Sequence, residues 1–291
     1  KASFSNTCKI LMADLKSGSP IKVLVDGHFL NFSKNHLITG VNLIDDLLFW
    51  TDNYNQPRKI NVTKALDAYN VGSYYYTTEE QISVAKYAPY QAPLVENLEN
   101  SANVKSEFLK EKFVRFSYRY KYEDGEYTTM APFTQIVFKP LNEAVITNIV
   151  QEDFNVQDVY QKTVVDLMKN SINKFDLKIP LPSDEDIISI DETQAGNEWT
   201  NDLRITNIEV LSKESDAATV KVIANIDVEL DFYNNIETKT VTPLIGSSFY
   251  RYFYKHEYKS EEPYKSLTED QITRVYDQVP VRAKAQEITG N

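Results

Sequence analysis

Polar and apolar residues alternate most strictly over residues 113–122, FVRFSYRYKY. Val114, Phe116, Tyr118, Tyr120 and Tyr122 share one face, and Phe113, Arg115, Ser117, Arg119 and Lys121 the other. A sustained period of two predicts a half-buried antiparallel strand. Asp124-Gly125 follows as a tight turn, because Gly tolerates positive φ. The return strand is expected over 127–138, with Pro132 marking an edge or a bulge. A second stretch, FYRYFYKHEY at 249–258, repeats the design, with Tyr250, Tyr252, Tyr254 and Tyr258 on one face.

Elsewhere the pattern is shorter. Over 8–66 it predicts short strands at Ile21–Val25, Phe29–Phe32, Asn42–Trp50 and Arg58–Val62, about four in all, the content of one propeller blade. Residues 67–110 are polar, with a tyrosine cluster at 74–76 and a strand expected at Ile82–Tyr87; 91–111 reads as loop with a helical turn. At 155–172 the period changes to that of a helix, with Val156, Val159, Tyr160, Val164, Leu167 and Met168 on one face and Asn155 as N-cap. Phe175–Leu181 reads as a strand, 183–202 as an acidic loop, and 203–228 as a hairpin turning near Ser215-Asp216. Leu267 to Ile272 carries a hydrophobic staple around a Thr268/Gln271 capping box, which starts a short helix running to about Tyr276. The fold class is therefore mainly β. A propeller-like β-rich segment is expected over 1–92, and an immunoglobulin- or fibronectin III-like sandwich over 93–291, with a helix near 155–172 and a C-terminal helix and tail.

Composition narrows the chemistry. The chain of 291 residues has 19 Tyr and 14 Phe but 8 Gly, so phosphate-cradling glycine loops have little material, and neither GxGxxG nor GxxxxGK[ST] occurs. Net charge is −11, which argues against a domain gripping nucleic-acid phosphates but not against one that lets nucleic acid slide past. One cysteine, Cys8, excludes an internal disulfide and a multi-cysteine zinc site, and fits assembly in a reducing compartment. No apolar run is long enough to span a membrane. The chain starts at Lys1 and stops in a turn-like Ile288–Asn291 stretch, and it reads as a piece of a longer polypeptide.

No catalytic constellation stands out. His28, His36 and His256 are scattered, with no HExxH pair. The acids at 184–186 and 191–192 lack the DxDxDG spacing of a calcium loop. No two of the 42 acidic residues single themselves out for glycoside hydrolysis, and Cys8 has no nucleophile motif around it. The Asn31-Phe32-Ser33 and Asn61-Val62-Thr63 sequons read as chance matches. No cofactor, no metal and no enzymatic activity is expected.

Two resemblances add to this. Leu48-Phe49-Trp50-Thr51-Asp52 resembles the Tyr-Trp-Thr-Asp motif of receptor-type β-propellers, in which the aromatic pair packs between blades and the Asp fastens the next turn. Here Phe49 replaces the Tyr, and there is one copy where a propeller has several. A longer resemblance rests on LITGVNLIDDLLFWTDNYNQPRKINV (37–62), EEQISVAKYAPY (79–90), FVRFSYRYKYEDGEYTTMAPFTQIVF (113–138) and YKSLTEDQITRVYDQVPVRAKAQEITGN (264–291). These look like the tail nozzle, or muzzle, of crAss-like short-tailed bacteriophages. That resemblance implies a non-enzymatic virion component, assembled in the bacterial host cytoplasm. It would form a homo-oligomeric, sixfold ring around the DNA exit channel, next to other tail proteins, with passing viral DNA not specifically bound.

An acidic wall would keep a DNA path slippery, because it lacks the basic groups that bind by counterion release. Ring contacts are expected from Tyr74, Tyr75 and Tyr76 and from Arg274, Arg282 and Lys284 of the tail, whereas Tyr118 and Tyr120 are expected in the core. The competing reading is an extracellular module binding carbohydrate or a receptor through tyrosine-rich loops. A hydrolase on a β scaffold is the third.

Overall fold

The computed structural model describes residues 7–15, 18, 20–140, 170–181, 203–228, 236–241, 249–259, 265–273 and 279–287. They are mainly β-strand, in antiparallel sheets of which none closes into a barrel. They fall into two compact units. The first lies within Lys1–Tyr87, Asn201–Arg204 and Val275–Asn291, and the second within Ala88–Thr200 and Ile205–Arg274. The expected boundary at 92/93 thus falls at 87/88. The tail assigned to the sandwich from sequence groups with the first unit instead.

In the first unit, β1 (Cys8–Met12) pairs with β2 (Lys22–Gly27), while β3 (Gly40–Ile44), β4 (Leu47–Thr51) and β5 (Arg58–Asn61) form a meander. The strands thus divide into a ribbon and a three-stranded sheet. Phe29–Phe32, expected as a strand, is instead a 3-10 turn at His28–Leu30 closed by Asn31 at φ 47. Asn61 ends β5 and caps α1 (Val62–Asn70) by accepting from the Lys64 amide. That helix falls where no regular element was expected. Ile82–Tyr87 is not a strand: α2 (Glu79–Ile82) ends there, and Ser83 bridges back to Arg58. The apolar faces of these pieces meet in one core of Leu24, Val25, Leu30, Trp50, Ile60, Ala65, Tyr76 and Ile82.

The second unit is a sandwich. One sheet orders β11 (Ile236–Val241), β12 (Phe249–Lys259), β8 (Lys174–Pro180) and β6 (Leu94–Glu99). The other orders β13 (Lys265–Ser266), β10 (Val220–Asp227), β9 (Ile205–Glu214) and β7 (Val114–Tyr122). In chain order β6, β7, β8, β9 and β10 follow strands B, C, E, F and G of an immunoglobulin-type sandwich: β6 pairs β8, and β7 pairs β9, which pairs β10. The place beside E that strand D fills in that fold is taken here by β12, which arrives after G. β6 and a helical turn, α3 (Phe108–Glu111), occupy part of the stretch read as loop. The helix predicted at 155–172 lies outside the described residues apart from its last three positions, where Asn170 forms an isolated bridge to Pro140.

Alternation dictates the core. Phe116 of β7 sits 5.2 Å from the Phe175 ring and 5.0 Å from the Tyr258 ring of the facing sheet. Tyr118, Tyr120, Tyr122, Tyr254 and Tyr258 are all buried. The Tyr120 hydroxyl donates to the Pro180 carbonyl at 3.2 Å. The other face of β7 was expected to be wet, yet Ser117 and Arg119 are buried too. Leu211, Val220, Val222 and Leu267 form a second core there, joined by Met130, Phe133 and Ile272. Leu267 precedes α4 (Glu269–Thr273) and Ile272 lies within it, both in this cluster, as the two ends of a hydrophobic staple should. Arg119 is held by Glu209 at 2.6 Å on β9 and by the Tyr127 ring beneath its guanidinium.

What covers that face is the chain after the Asp124-Gly125 turn, and it is not the regular strand that was expected. The amides of Thr128, Ala131, Thr134 and Val137 donate to the carbonyls of Tyr120, Tyr118, Phe116 and Val114. Three residues therefore oppose every two of β7. Two extended residues advance ~6.8 Å, so the return chain rises about 2.3 Å per residue, as a succession of bulges. The carbonyls of such a chain fall out of step with the β7 amides, that of Ala131 accepting instead from the Ser117 hydroxyl at 2.7 Å. The hydroxyls of Thr128 and Thr134 substitute for them, accepting from the amides of Tyr120 and Phe116 at 3.0 Å.

The outer face of the β8 sheet is a charge ladder. Lys174 pairs with Glu257, Lys255 with Asp176, and Lys178 with Glu96, at 2.9–3.1 Å. Hydrogen bonds from Lys259 and Lys174 pull the Glu257 carboxyl down to about 2.

Candidate functional site

The turn after Trp50 is built by Asp52. Its Oδ1 accepts from the amides of Tyr54 (2.9 Å) and Asn55 (2.7 Å), and its Oδ2 from the Asn55 side chain (2.6 Å). Asn55 in turn holds Asn31, through the Asn31 side chain at 2.8 Å and the Asn31 carbonyl at 3.2 Å. Arg58 closes the network: its guanidinium is buried and donates to the carbonyls of Phe29 and Leu30, to Asn55 and to Glu79 at 2.6 Å. Burial alone would raise the Asp52 carboxyl. The Tyr54 and Asn55 amides, the Asn55 side chain and the Arg58 charge outweigh it, so Asp52 titrates below the ordinary aspartate range. Burial lowers Arg58, with Glu79 and Asp52 opposing that shift. These side chains act on the protein's own backbone, in the manner of a clasp joining a turn, a helix end and a 3-10 turn.

The three tyrosines singled out from sequence have different fates. Tyr74 is exposed. Tyr75 is half-buried, with the Arg204 guanidinium 3.7 Å over its ring and donating to its carbonyl. Tyr76 is a core residue, edge-on to Tyr75, and its hydroxyl accepts from the Asn61 amide at 2.6 Å. Burial raises its phenol. Tyr76 is therefore not available as a surface contact, which corrects its assignment as one. Arg204 follows the acidic loop in sequence, and nothing in its neighbourhood signals a partner 129 positions away.

Of the tail residues, Arg282 and Lys284 are exposed, and Arg274 lies outside the described residues. The chain around them lies on the β3–β4 face. The Asn53 amide donates to the Ala283 carbonyl (3.0 Å), the Thr39 hydroxyl to the Lys284 carbonyl, and the Asn42 side chain to the Gln286 carbonyl (3.4 Å). The Gln286 side chain returns a bond to the Phe49 carbonyl at 3.0 Å. Gly40 is the seat: a Cβ there would meet Thr51 Oγ1 at 2.7 Å and the Gln286 amide nitrogen at 3.2 Å.

The remaining candidates stay apart. His36 stacks on Tyr54 at 4.5 Å, His28 opens the 3-10 turn, and His256 lies opposite Leu177 in the sandwich. Cys8 points its thiol at the Phe32 carbonyl. Among the described residues, no three or more His, Cys, Asp or Glu side chains gather as a metal site. No helix among them is long and apolar enough to cross a membrane. The acids at 184–186 and 191–192 lie outside the described residues. No family model and no curated protein matches this chain.

Proposed function

We propose that this chain is a structural part of a bacteriophage tail, a piece of the muzzle wall that surrounds the DNA exit channel. The observation that carries the reading is the run of four segments resembling that family, supported by how polar groups are used in them. Segment 37–62 holds the Asp52–Arg58 clasp, and 113–138 forms β7 and its bulged cover. In both, the buried polar side chains hold backbone in place, which suits a wall. The net charge of −11 suits a surface past which DNA slides. The partners are further copies of the chain in a sixfold ring and neighbouring tail proteins, and the location is the virion tail.

Electron microscopy of the purified full-length protein tests this, with rings as the expected outcome. The alternative, a carbohydrate- or receptor-binding module, draws on exposed aromatics such as Tyr90 and the Tyr54–His36 stack. Monomers that score on a glycan array would replace the first reading with the second.

A further inference from the structure

We infer that the β3–β4 face around Gly40 is a peptide seat that takes the 283–286 segment of a second copy of this chain as well as its own. The inference rests on the muzzle reading for its setting and on the seat geometry for its content.

The seat recognises the segment by backbone. Three of its bonds end on the carbonyls of Ala283, Lys284 and Gln286, and the fourth joins the Gln286 amide side chain to the Phe49 carbonyl. Gly40 lets the two backbones approach. Such a set selects a chain that offers three carbonyls and a glutamine side chain at the spacing that Ala283-Lys284-Ala285-Gln286 supplies.

The segment buries little in return. Arg282, Lys284, Ala285 and Glu287 are exposed, and Val281 is 71% exposed. A segment held by a few bonds with little apolar burial opens at low free energy. The contacts do not depend on which copy supplies the segment, so an identical segment from a neighbour makes the same bonds. The seat also adjoins an apolar strip. Val41, Leu43 and Ile44 of β3, with Leu37 and Ile38 before it, are 40–75% exposed. β3 is an edge strand with no sheet partner on its far side among the described residues. An open apolar edge is a place where a second chain gains burial. Reciprocal exchange between two copies closes as a two-fold dimer, whereas one-way donation from each copy to the next is head-to-tail, the geometry that closes into a ring when the rotation permits.

Two full-length chains test this, one Thr39→Cys and the other Lys284→Cys, each also Cys8→Ser, mixed and treated with a short bis-maleimide. A cross-linked dimer containing one of each is expected. Excess synthetic peptide covering residues 279–287 should compete for the seat and lower the dimer yield, while the same peptide carrying Gln286→Ala, which lacks the bond to the Phe49 carbonyl, should compete less well. Gly40→Val should abolish the dimer. A double-cysteine chain (Thr39→Cys, Lys284→Cys) that links only within itself, with no mixed dimer, overturns the inference. Rings seen by microscopy without mixed dimers would leave the muzzle reading standing and the exchange refuted. Mixed dimers without rings would do the reverse.

Discussion

At the scale of single residues, Asp52 has the most consequence. One carboxylate satisfies two amides and a side chain, and through Asn55 it positions Asn31 and Arg58. Asp52→Asn keeps the size but turns an acceptor toward a donor. We expect a loss of about 1–3 kcal/mol at neutral pH, measured by urea unfolding. The pH dependence follows from the direction of its shift. The folded carboxyl titrates below the unfolded one, so the stabilisation is present above the ordinary aspartate range and fades as pH falls through the folded value. The gap between native protein and variant should therefore narrow as pH falls below the ordinary aspartate range; a gap that stays constant throughout acid titration would mean that the charge is not what the clasp uses.

At the scale of elements, the bulged chain 127–137 carries the argument. It occupies the free edge of β7 without offering a new edge of its own, since its hydrogen-bonding groups no longer run in a two-residue register. Thr128→Val and Thr134→Val each leave a buried amide unpaired and should cost about 1–3 kcal/mol, whereas Thr134→Ser, which retains the hydroxyl, should cost less. Equal losses for Val and Ser would show that packing, not the hydroxyl, decides. Phe175→Ala opens the Phe116–Tyr258 cluster and should cost about 3–5 kcal/mol, read from the denaturation midpoint.

This is also the scale at which legibility in sequence divides. β7 and its inward tyrosines were readable because a period of two admits one register, and Leu267 with Thr268 because a cap is local. The bulges were not, since nothing in TTMAPFTQIV distinguishes a three-for-two pairing from a strand with a proline. α1 was hidden because β-branched Val62 and Thr63 continue the strand pattern past the Asn61 cap. The covered outer face of β7 was hidden because burial of Arg119 depends on Glu209, 90 positions on. In the candidate site, Asp52 and its turn had a local cue in the motif. Arg58, Arg204 and the seat at Gly40 had none, because their partners are remote.

At the scale of the whole molecule, the charge makes the clearest claim. Duplex DNA should show no binding at physiological salt by fluorescence anisotropy, and none of the steep salt slope of a phosphate-gripping protein. Tight, salt-sensitive binding would end the idea of a slippery wall. The strap at 283–287 bears on biosynthesis. Gln286 lies 237 residues beyond the Phe49 it bonds to, a delay of roughly 12–47 s at ~5–20 residues per second on the ribosome. During that interval the first unit waits with its Gly40 cleft vacant beside an apolar rim. The strands of this unit thus leave the ribosome well before the segment that closes them, and nascent neighbours on one messenger would meet while that cleft is still open.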